Sequence, residues 1–254
     1  GEGEGEGEGE GEGEGEGEEI VETIWEGSCT ITNEEDVEKL QGYTIVKGSM
    51  VVLAPELTSF SFPDLKSIGS HLDIKESPLL ESFDYPALVE VGGNLHVNNN
   101  DSLSDVLFPV LTTVGDYLHV QKNNALITVS FPELIEVGWG LQVTRNSQMV
   151  SMEFPLLSDL GWMLELKDNH ALTIFSFPKL VDVGDYLLIL GNTSLDSFAF
   201  DKLTDVSDNL WIYENDVLTW FSLPKLVNVG GDLSVAHNPL LAQCPVDALV
   251  AAVQ

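Results

Sequence analysis

From residue 62 onward the chain repeats every 23 residues without an insertion. Units begin at Phe62, Tyr85, Phe108, Phe131, Phe154, Phe177, Phe200 and Leu223. With each of these as position one, positions four and eleven are Leu in all eight units. Position two is Pro in seven, Asp201 being the exception, and position eight is Gly in seven, Ser207 being the exception. Position sixteen is Ser77, then Asn100, Asn123, Asn146, Asn169, Asn192, Asn215 and Asn238. A fixed period of this kind marks units that bury their apolar faces only by stacking on one another. The chain is expected to be a solenoid.

Local chemistry says how each unit is built. Leu72-Asp73-Ile74, Leu95-His96-Val97 and their equivalents alternate apolar and polar residues, the pattern of a half-buried strand. No unit has room for a long helix between its Gly and the next Phe-Pro, so strand and turn fill it. The expected fold class is mainly β, a right-handed parallel β-solenoid of about nine coils of 23 residues with short helical caps. Positions one, four, seven, eleven, thirteen, nineteen and twenty-two should point inward and stack like on like. Gly at position eight suits a turn at positive φ or a close backbone approach. Pro at position two sets a bend where no ladder donor is needed. The Asn column reads as an internal ladder, because a buried amide without partners costs about 1–3 kcal/mol.

Four segments follow: a Gly-Glu tail at 1–18, an N-terminal cap with an irregular coil at 19–61, eight repeats at 62–244, and a capping helix at 245–254. The tail has no apolar side chain to offset its backbone entropy, so disorder is expected there, as a spacer or a solvating, cation-attracting segment. Between Ile31 and Leu40, Thr32 or Asn33 would cap a short helix, with Glu34, Glu35 and Asp36 in its first turn where the dipole favours them. The irregular coil lies around Gly48, Val51, Leu57 and Phe60. Pro245 should open the last helix, laying Val246, Leu249, Val250 and Val253 over the final coil. Nine coils at about 4.8 Å make a rod of roughly 40 Å. Cys29 and Cys244 then sit at opposite ends, beyond the roughly 7 Å a disulfide allows. Cys244, at position twenty-two, is expected to be a buried cap residue.

The formal charge is −32, from 10 Lys+Arg against 42 Asp+Glu, and removing the nine Glu of the tail leaves −23. Such a chain repels nucleic acid and anionic membrane surfaces. It has no apolar run long enough to cross a bilayer, so direct membrane insertion is not expected. No signal peptide is legible in the sequence, as expected of one removed or never included. Cysteine spacing offers neither a disulfide scaffold nor a zinc site, and no cofactor is implied.

The unit F-P-x-L-x-x-V-G-x-x-L-x-V-x-x-N-x-x-L-x-x-F resembles the receptor L-domain family, the leucine-rich-like β-helical domains that bind ligand in insulin- and EGF-type receptors. Tandem units of fungal GPI-anchored cell-wall proteins and bacterial surface proteins are closer still. Tyr85-Pro86-Ala87-Leu88-Val89-Glu90-Val91-Gly92-Gly93-Asn94-Leu95-His96-Val97 carries the likeness. Cys29-Thr30-Ile31-Thr32-Asn33 and Cys244-Pro245-Val246-Asp247-Ala248-Leu249 are similar to the family's caps. Coverage is residues 29–254. The chain departs from the receptors in lacking their Cys-rich modules, kinase and membrane anchor. The resemblance implies an extracellular or cell-surface module for recognition or adhesion, with a protein or glycan ligand, rather than a signalling receptor.

Positions ten, twelve and fourteen face outward in three columns. Early coils place Asp73, Lys75, Asn94, His96, Asn98, His119 and Gln121 there; later coils place Met163, Tyr186, Leu188, Leu190, Trp211 and Tyr213. The later set is the candidate ligand-binding patch, since Tyr and Trp join contact area to a polar handle. His96 and His119, with Asp73 beside them, are weak candidates for a metal or a pH-sensitive pair; chance decoration explains them better. Position six carries Glu90, Glu136, Asp159, Asp182 and Asp205, a solvated face before it is a calcium site. Asn100-Asp101-Ser102 and Asn192-Thr193-Ser194 match the glycosylation sequon, but both asparagines belong to the ladder and should carry no glycan.

An enzyme is disfavoured. Polysaccharide-acting β-helices need clustered carboxylates or a basic residue at a walled groove, and Arg145 is the one arginine here. An ice-binding face would require a regular Thr column, which is missing. A structural role in surface assembly, through self-association of strand edges or caps, is the alternative to ligand recognition.

Overall fold

A computed structural model of the protein describes residues 22–253; the tail at 1–18 lies outside them. Each coil contributes three short strands. In the unit from Phe108 these are Thr113–Val114, Leu118–Gln121 and Thr128–Ser130. Equivalent strands pair in parallel: Leu118 faces Leu95 on one side and Leu141 on the other. The strands that carry Leu at position eleven form one unbroken ten-stranded sheet from Cys29–Ile31 to Leu233–Ala236. The strands at positions six and seven make a seven-stranded sheet and then, after Asp159–Leu160, a separate three-stranded one. The strands at positions twenty-one to twenty-three break into shorter sheets of two, four and two. One face alone is therefore continuous along the whole rod, and it is the one that displays positions twelve and fourteen.

The inward columns are as expected. Leu at positions four, eleven and nineteen, and the branched residues at seven and thirteen, are buried through the middle coils. Phe131, Phe154 and Phe177 stack face on face at 5.2 and 5.1 Å, nearly parallel at 9° and 10°. Coil spacing sets those centroid distances. Tyr85 extends the same column, and its hydroxyl lies 3.4 Å from Met50 Sδ.

Position eight proves to be a close approach rather than a positive-φ turn. A Cβ at Gly92 would stand 2.5 Å from the carbonyl oxygen of Gly69, one coil below, and the same obstruction recurs up the column. Left-handed backbone occurs at position fifteen instead, in every coil: Glu76, Asn99, Lys122, Arg145, Asp168, Gly191, Glu214 and His237. Only one of these is Gly. The non-Gly residues are held there at a cost of about 1 kcal/mol each, against which the ladder that follows must work.

That ladder is formed. Asn146 Oδ1 accepts from the Asn123 backbone N–H at 3.1 Å and from Asn123 Nδ2 at 3.3 Å. Asn146 Nδ2 in turn donates to Val120 O at 2.9 Å and to Asn169 Oδ1 at 3.3 Å. The pattern runs from Asn100 to Asn238, and Ser77 begins it by accepting the Ala54 N–H on its hydroxyl while donating its own N–H to Asn100.

The coil before the repeats is shorter but in register. Val52 pairs with Ile74, 22 residues on, whereas the Ala54 N–H reaches Ser77, 23 residues on. The missing residue thus falls in the turn between Val52 and Ala54, where later coils keep their left-handed residue. Met50 and Val52 point inward like their successors. At the front, the helix Glu34–Lys39 is capped by Asn33, whose Oδ1 accepts the Asp36 N–H at 3.1 Å. At the rear the helix Gln243–Ala252 begins two residues before Pro245, which takes a first-turn place where no donor is needed. Pro245 and Leu249 are buried, and Val246 and Val253 pack on the core. Val250 does not join them; it is 56% exposed. Cys244 is also exposed rather than buried, because the chain has already turned into the helix and position twenty-two no longer lies on a strand. Both cysteines are free.

Candidate functional site

The helices pack chiefly on Cys29–Ile31, Ser59–Ser61 and Trp220–Ser222. The neighbouring strands Leu187–Leu190 and Leu210–Tyr213 pair in register, which sets Leu188 beside Trp211 and Leu190 beside Tyr213. All four side chains are half-buried on the outward face. Tyr186 adds its ring 6.0 Å from Trp211 and brings its hydroxyl to Glu165 Oε2 at 3.4 Å. Gln142 donates to the same Glu165 oxygen at 2.8 Å. Burial, with the Glu165 charge behind it, pushes the Tyr186 phenol up to about 12, so it remains a hydrogen-bond donor across the working pH range.

Met163 departs from the expected patch. Gly140, at position ten one coil below, leaves a gap, and a Cβ there would meet Met163 Cγ at 2.9 Å and Tyr117 Cε1 at 3.0 Å. Met163 and Tyr117 fold into that gap from opposite sides, leaving Met163 only 8% exposed. It supports the patch from beneath.

Sequence reasoning missed the aromatic residues beside this gap. Trp139 and Trp162 occupy position nine of consecutive coils and are 51% and 41% exposed. Their rings meet edge to face at 6.0 Å, and Tyr117 lies 5.4 Å from Trp139 and 6.0 Å from Trp162. A reading confined to positions ten, twelve and fourteen could not count them. Two tryptophans 23 residues apart in a column otherwise small or acidic were the available signal. A second aromatic cluster, Tyr117, Trp139 and Trp162, therefore lies beside the patch.

His96 and His119 do meet, in register on adjacent strands, with rings 4.8 Å apart and 16° from parallel. His96 Nδ1 donates to Asp73 Oδ1 at 2.9 Å, and Lys75 reaches the other Asp73 oxygen at 3.0 Å. Rings stacked face on face send their nitrogens side by side rather than toward one point, a poor start for a metal. Among the described residues no group of three or more His, Cys, Asp or Glu is arranged to hold an ion.

The pair has an acid signature instead. Burial, helped by the neighbouring His96, lowers His119 from 6.5 to about 4. The unfolded chain accepts this proton near 6.5 and the folded one resists it. Stability from neutral His119 is therefore whole above pH 6.5 and drains as pH falls toward 4. Partial exposure limits the loss to about 1–2 kcal/mol. Asp73, lowered to about 2 chiefly by the His96 hydrogen bond, loses its contribution only below 3.8 and so stays outside that window. Urea unfolding at about pH 7.5 and about pH 4.5 should reveal the loss, and His119→Gln should shrink it; an identical profile in the variant would refute the assignment.

Position six is acidic and outward, with Glu136 and Asp159 in register and Asp182 paired with Asp205. Asn100 and Asn192 are fully buried, and their amides are engaged in the ladder.

No family model matches the chain, and neither the curated proteins nor the solved structures yield a match. The class defined here is that of a parallel β-solenoid repeat protein. Beyond the class, the site itself must carry the functional argument.

Proposed function

We propose that the protein is a non-catalytic recognition module of the receptor L-domain type, a leucine-rich-repeat-like scaffold working outside the cell or at its surface. Its ligand is a protein or a glycan held on the late coils of the ten-stranded sheet. The observation that carries this reading is the registered block of Leu188, Leu190, Trp211 and Tyr213 on a rigid, continuous face, with Tyr186 and Glu165 supplying polar contacts at its edge. Uncovered aromatic area on a fixed sheet needs no ordering upon binding, which is where binding energy concentrates. The acidic surface fits a solvated exterior and disfavours nucleic acid as partner.

Arrays of extracellular proteins and glycans supply the ligand, and the double variant Tyr186→Ala with Trp211→Ala tests the face. Affinity should fall at least about 100-fold, as removal of two hot-spot aromatics does, with the far-UV spectrum unchanged. Unchanged affinity would reject the site. Turnover of an arrayed glycan would replace the reading with an enzyme. A structural role draws on one observation: among the described residues Leu233–Ala236 ends the long sheet paired only with Leu210–Tyr213. Silence on the arrays with concentration-dependent sedimentation would favour that role.

A further inference from the structure

The two tryptophans that lie off the sheet face stand in a distinct chemical setting. Trp139 and Trp162 border, with Gly138 and Gly161, a shallow, open slot of about 330 Å³. The same two glycines border an adjoining trough of about 190 Å³ lined by Glu136, Asp159 and Asp182. Along the tryptophan column itself the next residues in each direction are Asp116 and Asp185, since the Trp139 N–H bonds to Asp116 O and the Asp185 N–H to Trp162 O. Three carboxylates thus line the trough beside the indoles, and two more flank them along their own column. None of the five takes part in an ion pair among the described residues; the pairs formed there involve Glu26, Glu35, Asp36, Asp73 and Asp168. Tyr117, in contact with both indoles, has its phenol raised by burial and by the Asp116 and Asp185 charges.

We infer that the Trp139–Trp162 slot receives an arginine side chain from a basic peptide segment of a partner protein. A guanidinium is planar, so it stacks on an indole face, and its forked donors match carboxylates alongside. The carboxylates supply what a neutral sugar would not require: Glu136 and Asp159, in register on neighbouring strands, repel one another until a cation arrives. A chain with a formal charge of −32 draws such a partner from a distance, and the slot gives the attraction a place to end. The inference deepens the proposed recognition role by naming the partner's chemistry, at a site separate from Tyr186 and Trp211.

The probe is acetylated tetra-arginine amide, followed by the indole N–H resonances of the five tryptophans in the intact chain. The signals of Trp139 and Trp162 should move and those of Trp25 and Trp220 should not. The variant Trp139→Leu with Trp162→Leu keeps the net charge and should weaken binding about tenfold or more. Glu136→Gln with Asp159→Asn and Asp182→Asn should do the same, while the charge-matched set Glu34→Gln, Glu35→Gln and Glu38→Gln should change affinity less than about twofold. Tetra-lysine should bind more weakly than tetra-arginine. The inference is overturned if the leucine variant, shown to be folded by its thermal transition, binds tetra-arginine like the parent, which would leave only diffuse charge attraction. It is equally overturned if cellopentaose moves the two indole signals and tetra-arginine does not. In either event loss of array binding on Tyr186→Ala with Trp211→Ala would still stand, so the two readings fail separately.

Discussion

Phe154→Ala is expected to cost about 4–5 kcal/mol, the upper end of the range for emptying a buried aromatic site. Phe154 is fully buried at mid-rod, with Phe131 and Phe177 stacked on its two faces. Its removal leaves a void between coils that cannot close, because the strands above and below hold their spacing by parallel hydrogen bonds. The comparison that isolates the stack is Leu223→Ala, which removes the smaller side chain standing in the same column at the last coil. Leu223 is 8% exposed beside the groove under the C-terminal helix, where the chain has room to relax. Denaturant unfolding should place the Phe154 variant at least about 2 kcal/mol below the Leu223 variant. Equal losses would mean that the column is not a continuous stack.

Asn146→Ala should be nearly as damaging, about 3–5 kcal/mol, through a different mechanism. Its amide serves four buried groups: the Asn123 N–H, Asn123 Nδ2, Val120 O and Asn169 Oδ1. Truncation leaves partners that water cannot reach, and each such group costs about 1–3 kcal/mol before relaxation. Asn238, at the end of the ladder and only half-buried, has no asparagine beyond it to orphan. Asn238→Ala should therefore cost about 1–2 kcal/mol. Midpoints from urea titration decide the matter, and a mid-ladder loss no larger than the terminal one would show that the column is decoration.

What the sequence revealed follows from which positions the coil leaves no freedom. Leu118, Leu141 and Leu164 are legible because every coil needs the same volume at that point. The Asn column is legible because nothing else of that size satisfies donors and acceptors on two neighbours at once. Position fifteen was hidden for the opposite reason: its side chain is exposed in most coils, so Glu76, Lys122 and Arg145 all serve, and no side-chain type advertises the backbone. The shortened turn between Val52 and Ala54 breaks the period in the place where the register does not depend on it. The candidate site was read in part. Leu188, Leu190, Trp211 and Tyr213 follow from strand alternation alone, but the burial of Met163 depends on the space that Gly140 leaves in the coil before it. Trp139 and Trp162 escaped because they sit in a turn, where alternation gives no rule for direction.

Methyl-to-methyl nuclear Overhauser contacts in selectively labelled protein test the stacking most directly. Leu141 methyls should show cross-peaks to Leu118 and to Leu164, and the other position-eleven leucines should link in the same steps of one coil. Strong contacts from Leu141 to leucines that are not one coil away would contradict the winding, and with it the aromatic face and the slot beside it.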